Sequence, residues 1–337
     1  MDIDAGLLPA FARGCAVLGS GGGGPVRIGR AAALQALEDF GPVRVVAPGA
    51  LDPDTLVMPI GTAGSAEVMA ERVGGTEEPL HLRAKIEELY GGRVGAVMAS
   101  EIGGANGCLA VAWAARLGLP LVDADGMGRA FPRMDQCVME LAGLSPTPAV
   151  LCDERGRTVV IDHVTGPWLE RLVRAALEAF GGQAATSEYV LRGHQVPAAT
   201  ALGTVTRAVE LGTRLPDPIL TGKIAEVGPS ILVEGLGPDA GRLARVEAGS
   251  EYLAVIEDGE PVAAVPDVIA LLDTRTGEIV PADEVRYGLR VRVLRVPCDP
   301  VWHTPAGLRL AGPAAFGLTG LPEPVAARRT AGDGGSP

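Results

Sequence analysis

Acidic side chains follow two predicted buried strands in the middle of the chain. The apolar run Val94–Ala99 has the length and composition of a buried strand, and Glu101 comes almost directly after it. A second short apolar run, 120–122, ends in Asp123 and Asp125. Open α/β sheets hold their ligands at the carboxyl ends of the strands. We therefore expect these three carboxylates to lie at one ligand-binding edge.

A helix is predicted between the two strands, because residues 109–117 have a helical pattern and stop on a glycine. A strand–helix–strand unit of this kind favours a parallel pair joined by a right-handed crossover. A basic side chain follows the second strand within a few residues. The sequence thus predicts an active site formed by Glu101, Asp123, Asp125 and Arg129.

The chemistry open to these acids is proton transfer or metal binding. A carboxylate at a strand end can act as a general base where burial or a second carboxylate raises its pKa. Asp123 and Asp125 stand two residues apart, so they suit either an acid–base pair or, with Glu101, the ligand set of a divalent metal. Asp-x-Asp-Gly is also ordinary turn chemistry, and Glu101 could instead cap the helix that follows it.

Two other polar side chains of this region have alternative roles. Arg129 could clamp a substrate carboxylate through two hydrogen bonds, or it could form a salt bridge to Asp125. Asn106 could cap the helix or form a hydrogen bond to a ring amide. Both residues join the candidate site with these alternatives open.

A glycine-rich loop near the N-terminus is the second candidate ligand-binding element. It consists of Ser20, Gly21, Gly22, Gly23 and Gly24, and it precedes a helical segment. Backbone N–H groups of a glycine loop before a helix can bind an anion or an oxyanion. The alternative is a mobile surface loop, since glycine loses the most backbone freedom on folding.

The elements that position these residues predict an α/β N-terminal domain with a largely parallel sheet. From 218 to 296 the pattern is nearly all short strands with turns between them, which indicates a β-rich barrel or sandwich. We expect an α/β domain over 1–167, helices plus the β-rich domain over 168–321, and a disordered tail over 322–337.

Composition excludes several classes of function. The formal charge of −12 and the pI near 4.9 disfavour nucleic acid or an anionic membrane surface as a partner. No run of 18 apolar residues predicts a membrane span. Five scattered cysteines without a CxxC pair are typical of reduced thiols, so we expect a cytoplasmic protein. No nucleotide is expected, because no GxxxxGK[ST] motif is present and the chain has only two lysines.

Several ordered motifs resemble the S-methyl thiohydantoin desulfurase family, which was long described only as a domain of unknown function. The N-terminal half of the resemblance rests on GCAVLGSGGGG from Gly14, EIGGAN from Glu101 and DADGMGRAFP from Asp123. The C-terminal half rests on GKI from Gly222, VPDVI from Val265, YG from Tyr287 and GPAAFG from Gly312. The resemblance covers nearly the whole chain.

The resemblance implies an α/β first domain, a β-rich second domain, and hydrolytic removal of sulfur from a five-membered thiohydantoin ring. Such a reaction needs an activated water, a group that polarises the C–N–S centre, and an acid for the leaving thiol. Members of the family accompany hydantoinase and oxoprolinase-type enzymes, so such a partner and a homo-oligomer are expected.

Two positions depart from the family's pattern, and both concern the substrate more than the fold. A Gln-Asn-Glu run is common where this chain has Ala248-Gly249-Ser250-Glu251, and an acid usually stands at the position of Arg133. The chain is therefore expected to be a hydrolase acting on a thiohydantoin or a related cyclic amide. The alternative is a non-catalytic binding or accessory subunit of a hydantoinase or oxoprolinase-type system.

Overall fold

The computed structural model of the chain describes residues 1–72, 74–318 and 321, which form two β-sheets with helices around the first. The first sheet has ten strands: β1 Asp2–Ile3, β2 Val43–Val46, β3 Leu56–Gly64, β4 Val94–Ala99, β5 Leu121–Asp125, β6 Ala149–Cys152, β7 Thr158–Ile161, β8 Gln183–Ser187, β9 Leu191–Arg192 and β10 Ala201–Leu202.

The centre of the first sheet is parallel, with the order β2-β5-β4-β3. Antiparallel strands extend it on both sides: β1 pairs with β2, and β8, β6 and β7 continue the sheet beyond β3. Two short strands, β9 and β10, add to β3 and β5. The chain after residue 167 thus contributes three strands to this sheet. The predicted domain boundary at 167 stays a prediction.

Ten α-helices accompany the two sheets: α1 Leu8–Leu18, α2 Val26–Phe40, α3 Ala66–Glu71, α4 Glu78–Tyr90, α5 Ala105–Leu117, α6 Val138–Leu141, α7 Gly166–Ala179, α8 Val196–Ala199, α9 Thr204–Thr213 and α10 Pro305–Ala311. This list covers only the described residues. Within the same ranges, no helix combines the length and the apolar character needed to cross a bilayer.

The predicted strand–helix–strand unit consists of β4, α5 and β5, and its two strands pair in parallel. α5 is buried on nearly every side, which its run of alanine and other small residues permits because neighbouring elements can approach closely. The helix ends at Gly118, whose left-handed φ of 63° is the conformation that glycine adopts most readily. β5 extends further than predicted and includes both Asp123 and Asp125.

The second sheet is antiparallel, with the strand order β15-β14-β13-β12-β11-β17-β16, and it curls into a half-barrel. Its seven strands are β11 Leu220–Val227, β12 Ile231–Gly235, β13 Leu243–Ala248, β14 Tyr252–Glu257, β15 Glu260–Ala264, β16 Val268–Asp273 and β17 Arg290–Val296. The predicted fold class, an α/β domain with a largely parallel sheet plus a β-rich domain, is confirmed. The expectation of a disordered tail over 322–337 lies outside the described residues.

The two sheets share one apolar core. Alternate residues of β16, Val268, Ala270 and Leu272, are buried in the same cluster as α1, α5 and the central strands of the first sheet. The glycine-rich loop lies at this junction, since its carbonyl groups accept hydrogen bonds from Ala105 N beside the first sheet and from Ala282 N of the second part.

Candidate functional site

A cavity of about 1200 Å³ opens where the first sheet meets the glycine-rich loop and the second sheet. Its walls come from the loop, from parts of α1, α2, α3 and α7, from the end of β3, the turn after β4, the segment 127–134 and the segments around β8, and from two turns of the second sheet. The buried polar side chains that line it are Ser100, Glu101, Asn106, Thr186, Glu188 and Glu251, and Gly61 and Thr62 of β3 line it as well. This is the edge at which the carboxyl ends of β3 and β4 lie, where open α/β sheets hold ligands.

Glu101 lies on the cavity wall, and its orientation is fixed by a chain of hydrogen bonds. Asn106 Nδ2 donates to Glu101 Oε1 at 2.7 Å. The backbone N–H and the hydroxyl of Thr62 both donate to Asn106 Oδ1, at 2.9 and 2.8 Å. Because both donors are on Thr62, the Asn106 amide can only present its NH₂ group to Glu101. Asn106 therefore positions the carboxyl group rather than capping α5, for which the structure shows no side-chain cap.

The environment of Glu101 favours its neutral form. Burial raises the pKa of Glu101 to about 8, and the negative charge of Glu251 adds to the increase, although the hydrogen bond from Asn106 opposes it. A carboxyl group with this pKa holds a proton at neutral pH and can give it to a bound molecule. Among the described residues, the partner of its second oxygen, Oε2, is the Phe131 N–H, at a long distance of 3.4 Å.

Backbone hydrogen bonds join the glycine-rich loop to elements beside both sheets. Ala105 N donates to the Gly23 carbonyl at 2.8 Å, and Ala282 N donates to the Gly21 carbonyl at 2.9 Å. Among the described residues, the N–H groups of Gly23 and Gly24 have no acceptor. The loop therefore presents free backbone donors at the cavity wall.

A side chain at Gly22 would displace Glu251. A Cβ atom at this position would lie 2.5 Å from Glu251 Oε1 and 2.8 Å from its Cγ. The absence of a side chain lets Glu251 reach over the loop into the cavity.

Ser20 has a different place from the glycines that follow it, because it is fully buried and ties the loop to the second sheet. Its hydroxyl donates to the carbonyl of Ile269 at 2.8 Å, and its own carbonyl accepts from Tyr252 N at 2.7 Å. Ser20 does not line the cavity.

Asp123 and Asp125 do not line the cavity. The Asp123 carboxylate accepts hydrogen bonds from the N–H and hydroxyl of Thr206, at 3.0 and 2.6 Å. Asp125 is fully buried and accepts from the N–H groups of Ile102 and Gly128, both at 2.8 Å. Burial raises the pKa of Asp125 to about 7 against these hydrogen bonds. Asp125 lies close enough to Glu101 for its charge to raise the pKa of Glu101, but it is bonded into the turns that carry the site.

Arg129 is also fully buried and does not line the cavity. Its Nη1 donates to the carbonyls of Pro266 and Asp267, at 3.0 and 2.7 Å, and its guanidinium lies 4.8 Å from the centre of the Phe131 ring. Among the described residues, Arg129 forms no salt bridge to Asp125. The positive charge of Arg129 opposes the burial that raises the pKa of Glu251.

Of the residues predicted from the sequence, the structure brings Glu101, Asn106 and the four glycines together around one cavity. Two buried acids on the cavity wall, Glu188 and Glu251, were missed. Glu188 follows β8, and its only sequence signal was one acid inside a run that otherwise has strand character. Glu251 was noticed only as part of a departure from a family pattern.

A possible metal-ligand group lies away from this cavity. In the described part of the chain, one set of three ligand atoms falls within 4.8 Å of each other, from Asp267, Cys298 and His303. Arg295 donates twice to Asp267 Oδ2, at 2.9 and 2.7 Å, and Arg129 lies beside the same segment. Two guanidinium groups disfavour a cation there. In the same part of the chain, Glu101, Asp123 and Asp125 do not fall within such a group.

Comparisons with known proteins match the chain along most of its length. The S-Me-THD-like N-terminal domain matches residues 7–163, and the S-Me-THD-like C-terminal domain matches residues 219–325. A crystal structure of a protein from Chromobacterium violaceum is similar over 96% of this chain and 99% of its own, with a TM-score of 0.78 and 23% identity. This likeness shows the fold alone. A comparison with curated proteins finds no match.

Proposed function

We propose that this chain, which belongs to the S-methyl thiohydantoin desulfurase-like family, is a hydrolase that replaces the sulfur substituent of a five-membered thiohydantoin-type ring by oxygen. Water adds to the ring carbon that carries the sulfur, the C–S bond breaks, and a thiol and a hydantoin leave. Related cyclic amides with the same ring geometry are the next substrate class to test.

The observation that carries this proposal is the buried Glu101 carboxyl group on the wall of a large cavity. Its raised pKa keeps it protonated at neutral pH, so it can donate a proton to the ring nitrogen as water adds to the adjacent carbon. Asn106 and Thr62 hold it in one orientation, which is the support that a proton-transfer group needs.

Other parts of the cavity suit a flat, polar ring. The N–H groups of Gly23 and Gly24 can donate hydrogen bonds to the ring carbonyl oxygen or to an oxygen that develops negative charge. Phe131 offers an aromatic wall, and it is fixed by an edge-on contact with the buried Trp302 at 4.9 Å between ring centroids.

A thiol-release assay tests the proposal. Purified chain is mixed with an S-methyl thiohydantoin, and released methanethiol is trapped with a chromogenic disulfide. We expect turnover by the wild type and a loss of about 10²-fold or more in Glu101→Gln. Glu178→Gln, the same change at an exposed position of α7, is the matched control. Equal turnover by Glu101→Gln and the control would refute the role of Glu101.

The second candidate function is a non-catalytic ring-binding subunit of a hydantoinase or oxoprolinase-type system. It is favoured by the bonding of Asp123, Asp125 and Arg129 into the framework, where none of the three reaches the cavity. Ring binding without thiol release, by the chain alone and with a candidate partner, would support this alternative. The hydantoinase-type partner, the homo-oligomer and the cytoplasmic location remain proposals.

A further inference from the structure

A second buried acid, Glu188, faces the same cavity from the opposite side of β3. It follows β8 directly, it is only 4% exposed, and it lines the cavity. In the described part of the chain its Oε2 atom has no hydrogen-bond partner. A buried carboxylate oxygen without a partner is costly to hold, and a bound water or ligand in the cavity would satisfy it.

The sheet topology brings Glu188 and Glu101 to one end of β3. Gly61 of β3 pairs with Thr186 of β8, two residues before Glu188. On the other side of β3, Ser100 N donates to the Ile60 carbonyl at 2.8 Å, one residue before Glu101. The two acids thus enter the cavity from the strands that flank β3.

Gly61 leaves room between these two strands. A Cβ atom on Gly61 would lie 3.2 Å from Ser100 Cβ and 3.8 Å from Asn106 Oδ1. The space above Gly61 is therefore bordered by the residues that adjoin and orient Glu101 on one side. Thr186, which lines the cavity two residues before Glu188, borders it on the other.

We propose that Glu188 is the second acid–base residue of this cavity and takes the proton from the water that attacks the ring. This inference rests on the proposed hydrolase function. It assigns to Glu188 the activated water that the reaction needs, and it leaves Glu101 as the acid.

The proton balance closes over one turnover. The water oxygen forms a bond to the ring carbon, one water proton passes to Glu188, and Glu101 protonates the ring nitrogen as the C=N double bond becomes single. The Glu101 carboxylate then takes the proton of the new hydroxyl group, and C=O forms. The C–S bond breaks, and its electron pair leaves on sulfur, which takes the proton from Glu188. Both acids return to their starting states.

The charges around Glu188 favour this division of roles. Burial raises the pKa of Glu188 to about 7, and the negative charge of Glu170 on α7 adds to the increase. The hydroxyls of Ser100 and Thr186 oppose it.

Two ionisable neighbours of Glu188 are Glu170 and Cys137. Glu170 is itself paired with Arg174, whose Nε lies 2.7 Å from the Glu170 carboxylate. The thiol of Cys137 stays neutral, because burial raises its pKa far above the usual range. The pKa of Glu188, about 7, is the lower of the two raised values, and the base of an acid–base pair is the group with the lower pKa.

The test is the pH profile of thiol release from an S-methyl thiohydantoin by the full chain. We expect kcat/KM of the wild type to rise with pH through about 7, as Glu188 ionises, and to fall through about 8, as Glu101 ionises. Glu188→Gln should lower kcat by about 10²-fold or more and remove the rise, with the fall retained. Glu178→Gln should keep both limbs.

Each outcome decides a separate claim. A folded Glu188→Gln that keeps the wild-type rate and both limbs overturns the inference and leaves the proposed function standing. A wild type that neither turns over nor binds the ring overturns both. If Glu188→Gln does not fold, Glu170→Gln replaces it, because loss of the Glu170 charge should lower the pKa of Glu188 and move the rising limb to lower pH. An unmoved rising limb in Glu170→Gln would then overturn the inference.

Discussion

Replacing Glu101 by glutamine should make the protein more stable at alkaline pH while it removes activity. Burial raises the pKa of Glu101 from 4.5 to about 8. In the unfolded chain the group loses its proton near pH 4.5, whereas in the folded chain it keeps the proton until about pH 8. Between these values the unfolded chain binds fewer protons, so the contribution of Glu101 to the free energy of unfolding falls as pH rises and is constant above about 8.

The size of the effect follows from the interval that the experiment spans. The interval from pH 5 to the folded pKa of about 8 spans about three pH units, and each unit is worth about 1.36 kcal/mol. The free energy of unfolding of wild type therefore falls by about 4 kcal/mol relative to that of the variant. Glutamine keeps an oxygen for the Asn106 NH₂ group. Its own NH₂ group faces the Phe131 N–H, which costs about 1 kcal/mol at every pH. Glu101→Gln should therefore be slightly less stable than wild type at pH 5 and about 3 kcal/mol more stable at pH 9.

Urea unfolding of wild type, Glu101→Gln and the control Glu178→Gln at pH 5, 7 and 9 measures this difference. The comparison between variants cancels the contributions of the acids that do not interact with Glu101, because those acids titrate alike in all three proteins. A difference between Glu101→Gln and wild type that stays constant within about 1 kcal/mol from pH 5 to 9 would refute the reasoning. It would show that Glu101 is not held in its neutral form.

Three further substitutions test other parts of the account. Gly22→Ala should weaken binding of a hydantoin by tenfold or more in calorimetry, because the new methyl group displaces Glu251, whereas Gly49→Ala, where a Cβ meets open space, should bind normally. Asp123→Ala should lower the free energy of unfolding by about 1–3 kcal/mol, because both hydrogen bonds from Thr206 are lost. A folded Asp123→Ala variant whose kcat is lower by about 10²-fold would show that Asp123 takes part in catalysis. Arg129→Gln should lower the free energy of unfolding by about 3–5 kcal/mol, since it removes a buried charge from its acidic neighbours, and an unchanged urea midpoint would contradict that.

The parts of the fold that could be predicted are those indicated by local sequence patterns. The apolar run of β4, the helical run of α5 and its terminal glycine lie within 25 residues of one another, so periodicity and stop signals sufficed to predict them. The position of Glu101 could also be predicted, because it depends on the local pattern of β4. A residue just after a buried parallel strand must lie at the ligand-binding edge.

The parts that could not be predicted depend on partners far along the chain. The Asp123 carboxylate is bonded to Thr206, 83 residues later, and the Arg129 guanidinium to Pro266, 137 residues later. Glu188 enters the cavity only because β8 pairs antiparallel with β3, more than 120 residues earlier. Local sequence patterns carry no information about such long-range pairings. In the sequence, a polar side chain that is hydrogen-bonded within the fold therefore looks the same as a catalytic one.

The central claim is that water replaces sulfur on the ring under proton transfer from Glu101. A single turnover of S-methyl thiohydantoin in H₂¹⁸O, analysed by mass spectrometry of the hydantoin, tests it directly. The account predicts one ¹⁸O atom in the hydantoin carbonyl from wild type, and label that forms at least about 10²-fold more slowly in Glu101→Gln. Unlabelled hydantoin from wild type, or label that forms equally fast in Glu101→Gln, would contradict it.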